Sequence, residues 1–159
     1  MTVRAVEGYL SRWVARCDVA DLAQEAYLRL IDARRTYRSG MPFRPWLFAI
    51  VRHTALDAER ARRRRSAREV VADPPADAAT PYPAEEHLDG VRLVALLETL
   101  PRDQREVVWL ARVEGLTSVE IGRVVGATPG AVKVRLHRAT VRLKALLSGA
   151  ESAPIQEAE

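Results

Sequence analysis

Between Thr117 and Leu147 the chain reads TSVEIGRVVGATPGAVKVRLHRATVRLKALL, and its start and stop signals fit two helices joined by a tight turn. Thr117 and Glu120 have the Ser/Thr-x-x-Glu spacing of a capping box, which predicts a helix start. Val119, Val124 and Val125 are expected on the buried side of that helix. Gly126 predicts its stop, because glycine accepts the left-handed backbone that a helix end often needs. Thr128 is placed to cap the next helix, with Pro129 in the first turn, where its missing N–H costs no hydrogen bond. Val132, Leu136, Leu143 and Leu147 then share one face, while Lys133, Arg135, His137, Arg138 and Arg142 lie mainly elsewhere. Such a pair is either a helical hairpin with an ordinary solvated basic face or a helix-turn-helix, whose second helix enters a DNA major groove.

The distribution of charge bears on that choice. Residues 1–65 carry 14 basic and 7 acidic side chains, residues 66–90 carry 1 and 6, residues 91–148 carry 10 and 5, and residues 149–159 carry none and 3. The overall charge of +4 therefore conceals two basic blocks separated by an acidic segment. That pattern predicts two domains facing polyanions on an acidic tether. The acidic segment also holds Pro74, Pro75, Pro81 and Pro83, which break helical ladders and favour extended backbone. The predicted organisation is a first domain over 1–65, a flexible acidic Pro-rich linker over 66–86, a second domain over 87–148 and a disordered tail over 149–159.

Elsewhere the periodicity is helical and no stretch alternates like a strand, so the predicted class is all-α, two small helical domains. A first helix is expected over Val3–Arg16, with Val6, Leu10 and Trp13 or Val14 inward. Asp18 is placed to cap a second over Val19–Arg34, with Leu22, Ala26, Leu30 and Ile31 on one side. Tyr37–Phe43 reads as a loop. Pro45 suits the first turn of a helix through Trp46, Leu47, Ile50 and Val51 to about Arg65. A helical pair over His87–Leu100 and Arg102–Val113, punctuated by Pro101, precedes the two helices described first.

No catalytic residue, metal site or cofactor is expected. The chain has no Gly-rich phosphate loop, no paired-histidine motif, and no Ser or Cys beside a plausible base. The single Cys17 excludes an internal disulfide and a multi-thiolate site, and reads as a small buried residue. No apolar run is long enough to span a bilayer, and the N-terminus lacks the apolar stretch of a signal peptide. The expectation is a soluble cytoplasmic protein with no direct membrane insertion.

Arg60 and Arg62–Arg65 form the densest cationic run. Cations offset the negative end of a helix dipole, which accounts for one or two of these arginines. Phosphate accounts for the excess, since the guanidinium fork matches phosphate oxygens and releases counterions. Upstream, Tyr37, Phe43 and Trp46 surround an irregular loop. Aromatics beside cations suit stacking on single-stranded bases, and each of them equally suits a core role. Asp18, Asp21 and Glu25 suit a helix N-terminus or an acidic protein-binding surface.

In order, Asp21-Leu-Ala-Gln-Glu-Ala-Tyr-Leu-Arg29, Phe43-Arg-Pro-Trp-Leu-Phe-Ala-Ile50 with Arg52 and Asp57, the arginine run, Leu100-Pro-Arg-Asp-Gln-Arg-Glu106, Glu114-Gly-Leu-Thr117 and the final helices resemble the extracytoplasmic-function (ECF) sigma factors of bacterial RNA polymerase. The resemblance covers roughly residues 5–147. It implies sigma-2-like and sigma-4-like domains and promoter-specific initiation with core RNA polymerase. It implies no enzymatic activity, because the polymerase core makes the RNA. Asp21, Gln24 and Glu25 would contact the β′ clamp helices. The loop carrying Tyr37, Ser39, Met41, Phe43 and Arg44 would capture a flipped base of the −10 element, with Arg60, Arg62, Arg63, Arg64 and Arg65 on phosphates. Lys133, Val134, His137 and Arg138 would face bases of the −35 element, with Arg135 and Arg142 on phosphates, and the second domain would also meet the β flap. An anti-sigma factor, often membrane-bound in the family, would regulate the chain. Two departures stand out. His53 takes a position that is often Asn, and no role is carried onto it. Val134 replaces a residue that is often polar, which leaves a thymine-methyl contact or no readout there. The rival readings are a sigma mimic that titrates an anti-sigma factor and a polymerase-independent helix-turn-helix regulator. The mimic has no need of the DNA-facing cations, and the regulator leaves the Asp21–Arg29 surface unexplained.

Overall fold

Apolar side chains at helical spacing build the first unit. In the computed structural model, which describes residues 3–14, 18–68 and 95–151 with the side chains of 66–68 and 149–151 excepted, the elements are α1 (Val3–Leu10), α2 (Val19–Asp32), a 3₁₀ turn (Ala33–Thr36), α3 (Phe43–Arg68), α4 (Arg102–Arg112), α5 (Ser118–Val125) and α6 (Pro129–Glu151). Residues 95–98 add a helical turn before α4, and no strand occurs among the described residues. The chain is all-α. It divides into two compact units, Met1–Tyr82 with Arg123–Ala127, and Pro83–Gly122 with Thr128–Glu159.

Val6, Tyr9 and Leu10 of α1, Leu22, Ala23 and Ala26 of α2, and Leu47, Phe48, Val51 and Ala55 of α3 form the core of the first unit. Each large side chain removed from water there stabilises the fold by roughly 1.5–3 kcal/mol before the cost of ordering it. The Tyr9 and Phe48 rings meet at 5.5 Å, tilted by 57°. Thr54 is fully buried, and its hydroxyl is satisfied by donating to the Ile50 carbonyl at 3.0 Å.

Several local expectations give way to the structure. The α-helix of α1 stops at Leu10, not near Arg16. The Arg12 and Trp13 N–H groups turn back only three residues, to the Tyr9 and Leu10 carbonyls at 3.3 and 2.8 Å. The Ser11 hydroxyl donates to the Gly8 carbonyl at 3.0 Å, and the Arg12 guanidinium donates to the same carbonyl. Side chains thus compete with the backbone ladder and tighten the last turn. Asp18 stands at the N-cap position of α2 without a side-chain cap hydrogen bond. Its backbone is already helical (φ −96°, ψ −6°), whereas a capping side chain reaches the N2 or N3 amide from an extended backbone. Ile31 is 56% exposed, not on the core side. In α3 the buried stripe is Leu47, Phe48, Val51, Thr54 and Ala55, while Trp46 and Ile50 are half-buried. One residue of register turns a helix face by about 100°, so of the apolar residues Trp46, Leu47, Ile50 and Val51 only Leu47 and Val51 fall on the buried side. Helix α3 also continues to Arg68, three residues into the expected linker. The remainder of that linker, and 87–94 of the expected helical pair, lie outside the described residues.

Further along, Leu100, Val107, Leu110, Leu116, Ile121, Val132 and Ala139 are buried. The Arg105 guanidinium donates to the Glu98 and Leu100 carbonyls at 2.7 and 3.1 Å, tying the turn at 95–98 to α4. Gly115, at φ 68°, lets the chain reverse after α4 so that the Leu116 N–H closes on the Leu110 carbonyl at 2.9 Å. Thr117 and Glu120 form the reciprocal capping box. The Thr117 N–H donates to Glu120 Oε2 at 2.8 Å, and the Glu120 N–H donates to Thr117 Oγ1 at 3.3 Å. Gly126 ends α5 at φ 70°, and the Ala131 N–H donates to Thr128 Oγ1 at 3.2 Å at the head of α6. Val119, expected inside, is 50% exposed; the large apolar side chains that α5 buries are Ile121, Val124 and Val125. A helix capped at Thr117 puts Val119 at its second position, off the i, i+3, i+4 face that is buried. Leu147 is likewise 44% exposed, and α6 runs to Glu151, two residues past Gly149.

Candidate nucleic-acid interface

The N-terminal end of α3 carries an aromatic cluster. The Tyr37, Phe43 and Trp46 ring centroids lie 5.8 Å (Tyr37–Phe43), 5.0 Å (Tyr37–Trp46) and 5.6 Å (Phe43–Trp46) apart, the first pair edge to face. Trp46 Nε1 donates to Thr36 Oγ1 at 3.3 Å, and the Tyr37 hydroxyl donates to the Met41 carbonyl at 2.8 Å. The loop is therefore folded onto its own aromatics, with Gly40 at φ 94° allowing the reversal. Ser39, Met41, Phe43 and Arg44 are exposed around it, and Tyr37 is half-buried. Leu30, Ile31, Arg34, Tyr37, Phe43 and Trp46 line an open groove of about 290 Å³. An apolar floor with an arginine at its edge suits an unpaired base.

Arg60 and Arg62–Arg65 are exposed 17 to 22 residues further along α3, which places them about 26–33 Å from Phe43 along the helix axis. Acids of the same helix hold members of this run: Arg60 pairs with Asp57 at 3.3 Å and Arg63 with Glu59 at 2.5 Å. The Arg60–Asp57 pair is exposed on both sides, and a pair of that kind contributes only about 0–1 kcal/mol, so phosphate can compete for Arg60, whereas Glu59 is only 13% exposed beneath Arg63.

On α2, Asp21, Gln24 and Glu25 are exposed at i, i+3 and i+4, and so share one face. Leu28, 57% exposed, extends that face by one turn, and Ile31 is exposed beyond it. Sequence reasoning did not assign Leu28 to the surface stripe; its i+3/i+4 relation to Gln24 and Glu25 was the available signal. Glu25 and Asp57 both bind Arg29, whose guanidinium donates to Glu25 Oε1 at 2.6 Å and to Asp57 Oδ2 at 2.8 Å. The Arg29 hydrogen bond is the main reason that the Asp57 carboxyl is held below its ordinary value of 3.8.

Helix α6 exposes Lys133, Val134, His137, Arg138 and Arg142. Val134, His137 and Arg138 lie on the side away from the fully buried Val132 and Ala139, with Lys133 and Arg142 flanking them. Arg135 differs from them. It is half-buried, and its Nε lies 3.5 Å from Asp103 Oδ2 of α4. Among the described residues no group of three or more His, Cys, Asp or Glu side chains is placed to hold a metal ion. None of the described helices is long and apolar enough to cross a membrane.

A helix-turn-helix with an outward cationic helix, in one chain with an aromatic loop and an arginine-edged helix, has the chemistry of the nucleic-acid-binding class of proteins. Comparison with known proteins narrows the class. Residues 2–65 match the model for sigma-70 region 2, and residues 90–143 match that for sigma-70 region 4. The chain is 39% identical over 150 residues to the RNA polymerase sigma factor CarQ of Myxococcus xanthus, covering 92% of this chain and 84% of CarQ. It is 38% identical over 142 residues to the ECF RNA polymerase sigma factor ShbA of Streptomyces griseus, covering 83% of this chain and 73% of that one. Its fold superposes on the sigma factor RpoE, solved in complex with the anti-sigma factor NepR from Bartonella quintana, with a TM-score of 0.76 at 25% identity, over 92% of this chain and 91% of RpoE. The chain belongs to the sigma-70 family, among the ECF RNA polymerase sigma factors. It is an alternative sigma factor, a regulatory protein of transcription initiation.

Proposed function

We propose that the chain divides promoter recognition between its two units, residues 1–65 serving core-polymerase and −10 contacts and residues 87–148 serving −35 and β-flap contacts. The separation of aromatic and arginine chemistry on α3 from outward cations on α6 carries this reading. Duplex sequence is legible in the major groove, where a helix fits and Lys or Arg addresses guanine. The −10 bases become legible only when unpaired, and flipping one costs a few kcal/mol that pocket contacts offset.

In this assignment Asp21, Gln24 and Glu25 meet the β′ clamp helices, with exposed Leu28 as their apolar neighbour. Tyr37, Ser39, Met41, Phe43 and Arg44 hold a −10 base, and Arg60 with Arg62–Arg65 follow the phosphates. On α6, Lys133, Val134, His137 and Arg138 face −35 bases, and Arg142 holds phosphate. Arg135 divides its charge between Asp103 and phosphate. Residues 69–86, after α3, connect the units, and 152–159, after α6, form the tail. The setting is the cytoplasm, and the regulator is an anti-sigma factor, membrane-bound or soluble. The likeness to a sigma factor solved with NepR supports that partner class.

Binding to purified core polymerase and to duplex promoter libraries tests the division. Gln24→Ala combined with Asp21→Ala weakens core association and leaves duplex preference unchanged. Lys133→Ala or Arg138→Ala leaves core association intact and relaxes −35 preference by roughly 1–3 kcal/mol per lost base contact. Equal weakening on every sequence would reduce those two residues to phosphate contacts.

A further inference from the structure

Four charged side chains connect the outer face of α2 to the arginine run of α3. Glu25 Oε1 accepts from Arg29 Nη2 at 2.6 Å, and Arg29 Nη1 donates to Asp57 Oδ2 at 2.8 Å. The other Asp57 oxygen, Oδ1, accepts from Arg60 Nη1 at 3.3 Å. The order Glu25–Arg29–Asp57–Arg60 alternates in sign and crosses from one helix to the other. Its inner pair is the tighter on Asp57, and Arg60 is the most exposed member, with 63% of its side chain accessible. Arg29 and Arg60 thus share one carboxylate, and Glu25 and Asp57 share one guanidinium.

We propose that Arg29 and Asp57 are positioning residues that couple the polymerase-facing carboxylate of Glu25 to the DNA-facing guanidinium of Arg60. The coupling rests on the assignment of Glu25 to polymerase and Arg60 to phosphate made above. While Glu25 draws on Arg29, Asp57 is incompletely neutralised and retains Arg60. When a cationic group of a partner takes Glu25, the Arg29 charge falls on Asp57 alone. Asp57 then attracts Arg60 less, and Arg29 repels it more. Arg60 becomes free for a phosphate when the chain is docked on polymerase. In the free chain the same pairs restrain it and reduce DNA binding. The planar fork of Arg29 fits this role, because it can serve two carboxylates through different nitrogens.

The test uses the full chain and a fluorescein-labelled, mixed-sequence single-stranded oligonucleotide, with core-polymerase binding measured in parallel. Glu25→Gln imitates engagement of Glu25 by removing its claim on Arg29. Asp32→Asn makes the same charge change at an exposed position of α2 outside the relay. The relay predicts that Glu25→Gln tightens oligonucleotide binding more than Asp32→Asn does, by up to about fivefold, the reach of an exposed pair of about 1 kcal/mol. The excess should vanish when Arg29→Gln or Arg60→Gln is also present. Equal effects of Glu25→Gln and Asp32→Asn, or an excess that survives Arg29→Gln, would overturn the relay while leaving the sigma assignment standing. Failure of the unmodified chain to bind both core polymerase and the oligonucleotide would overturn the two together.

Discussion

Phe48 and Asp57 show opposite ways in which one residue supports the first unit. Phe48 is fully buried against Tyr9, and Phe48→Ala should destabilise the unit by about 3–5 kcal/mol in urea unfolding, through lost transfer energy and the cavity left behind. Asp57 acts through charge. Its carboxyl is a stronger acid in the folded chain than its ordinary value of 3.8, chiefly through the Arg29 hydrogen bond. A carboxyl shifted in this direction adds stability above its unfolded pKa, and loses it as pH falls through the lower folded value. Acidification below about pH 4 should therefore remove a contribution that Asp57→Asn already lacks. Urea midpoints of the two proteins should converge as pH falls through that range. Phe48 stood inside the quoted motif, yet helical spacing alone did not separate its face from that of Trp46. The Arg29–Asp57 pair spans 28 residues of sequence, and nothing local announces it.

Among the elements, those closed by local chemistry were the most legible. The capping box at Thr117, the left-handed stop at Gly126 and the Thr128 cap each depend on groups within four residues, and each appears as read. Thr117→Ala should cost about 1 kcal/mol, measured as a shift in the unfolding midpoint of the helix-turn-helix. Gly126→Ala should cost a further amount of about 1–2 kcal/mol. Space at Gly126 is not limiting, because a Cβ there would meet no heavy atom within 4 Å, so the cost is conformational. Local signals failed where the surroundings decide. Asp18 is a good capping residue on a backbone already turned helical, and α1 ends early because Ser11 and Arg12 take the Gly8 carbonyl. Ile31 and Val119 are apolar side chains that the fold leaves outside. Apolarity marks them as core, and only the exposure of Leu28 beside Asp21, Gln24 and Glu25 shows that α2 presents a mixed acidic and apolar face.

For the molecule as a whole, composition already separated two basic blocks, and the order of motifs along the chain specified the family. The roles of single cations were less legible, because a sequence does not show which charges are already paired. Arg60, Arg63 and Arg135 each have an acidic neighbour, whereas Lys133 and Arg138 stand exposed on the outer side of α6. Run-off transcription with purified core polymerase on a library of promoters varied at both elements tests the central claim most directly. The two-unit account predicts transcripts that require the chain and select sequence independently at the −35 and −10 positions. Lys133→Ala or Arg138→Ala should relax only the −35 selection, and Tyr37→Ala or Phe43→Ala only the −10 selection. Transcripts that ignore both elements, or no chain-dependent transcript alongside absent core binding, would contradict it.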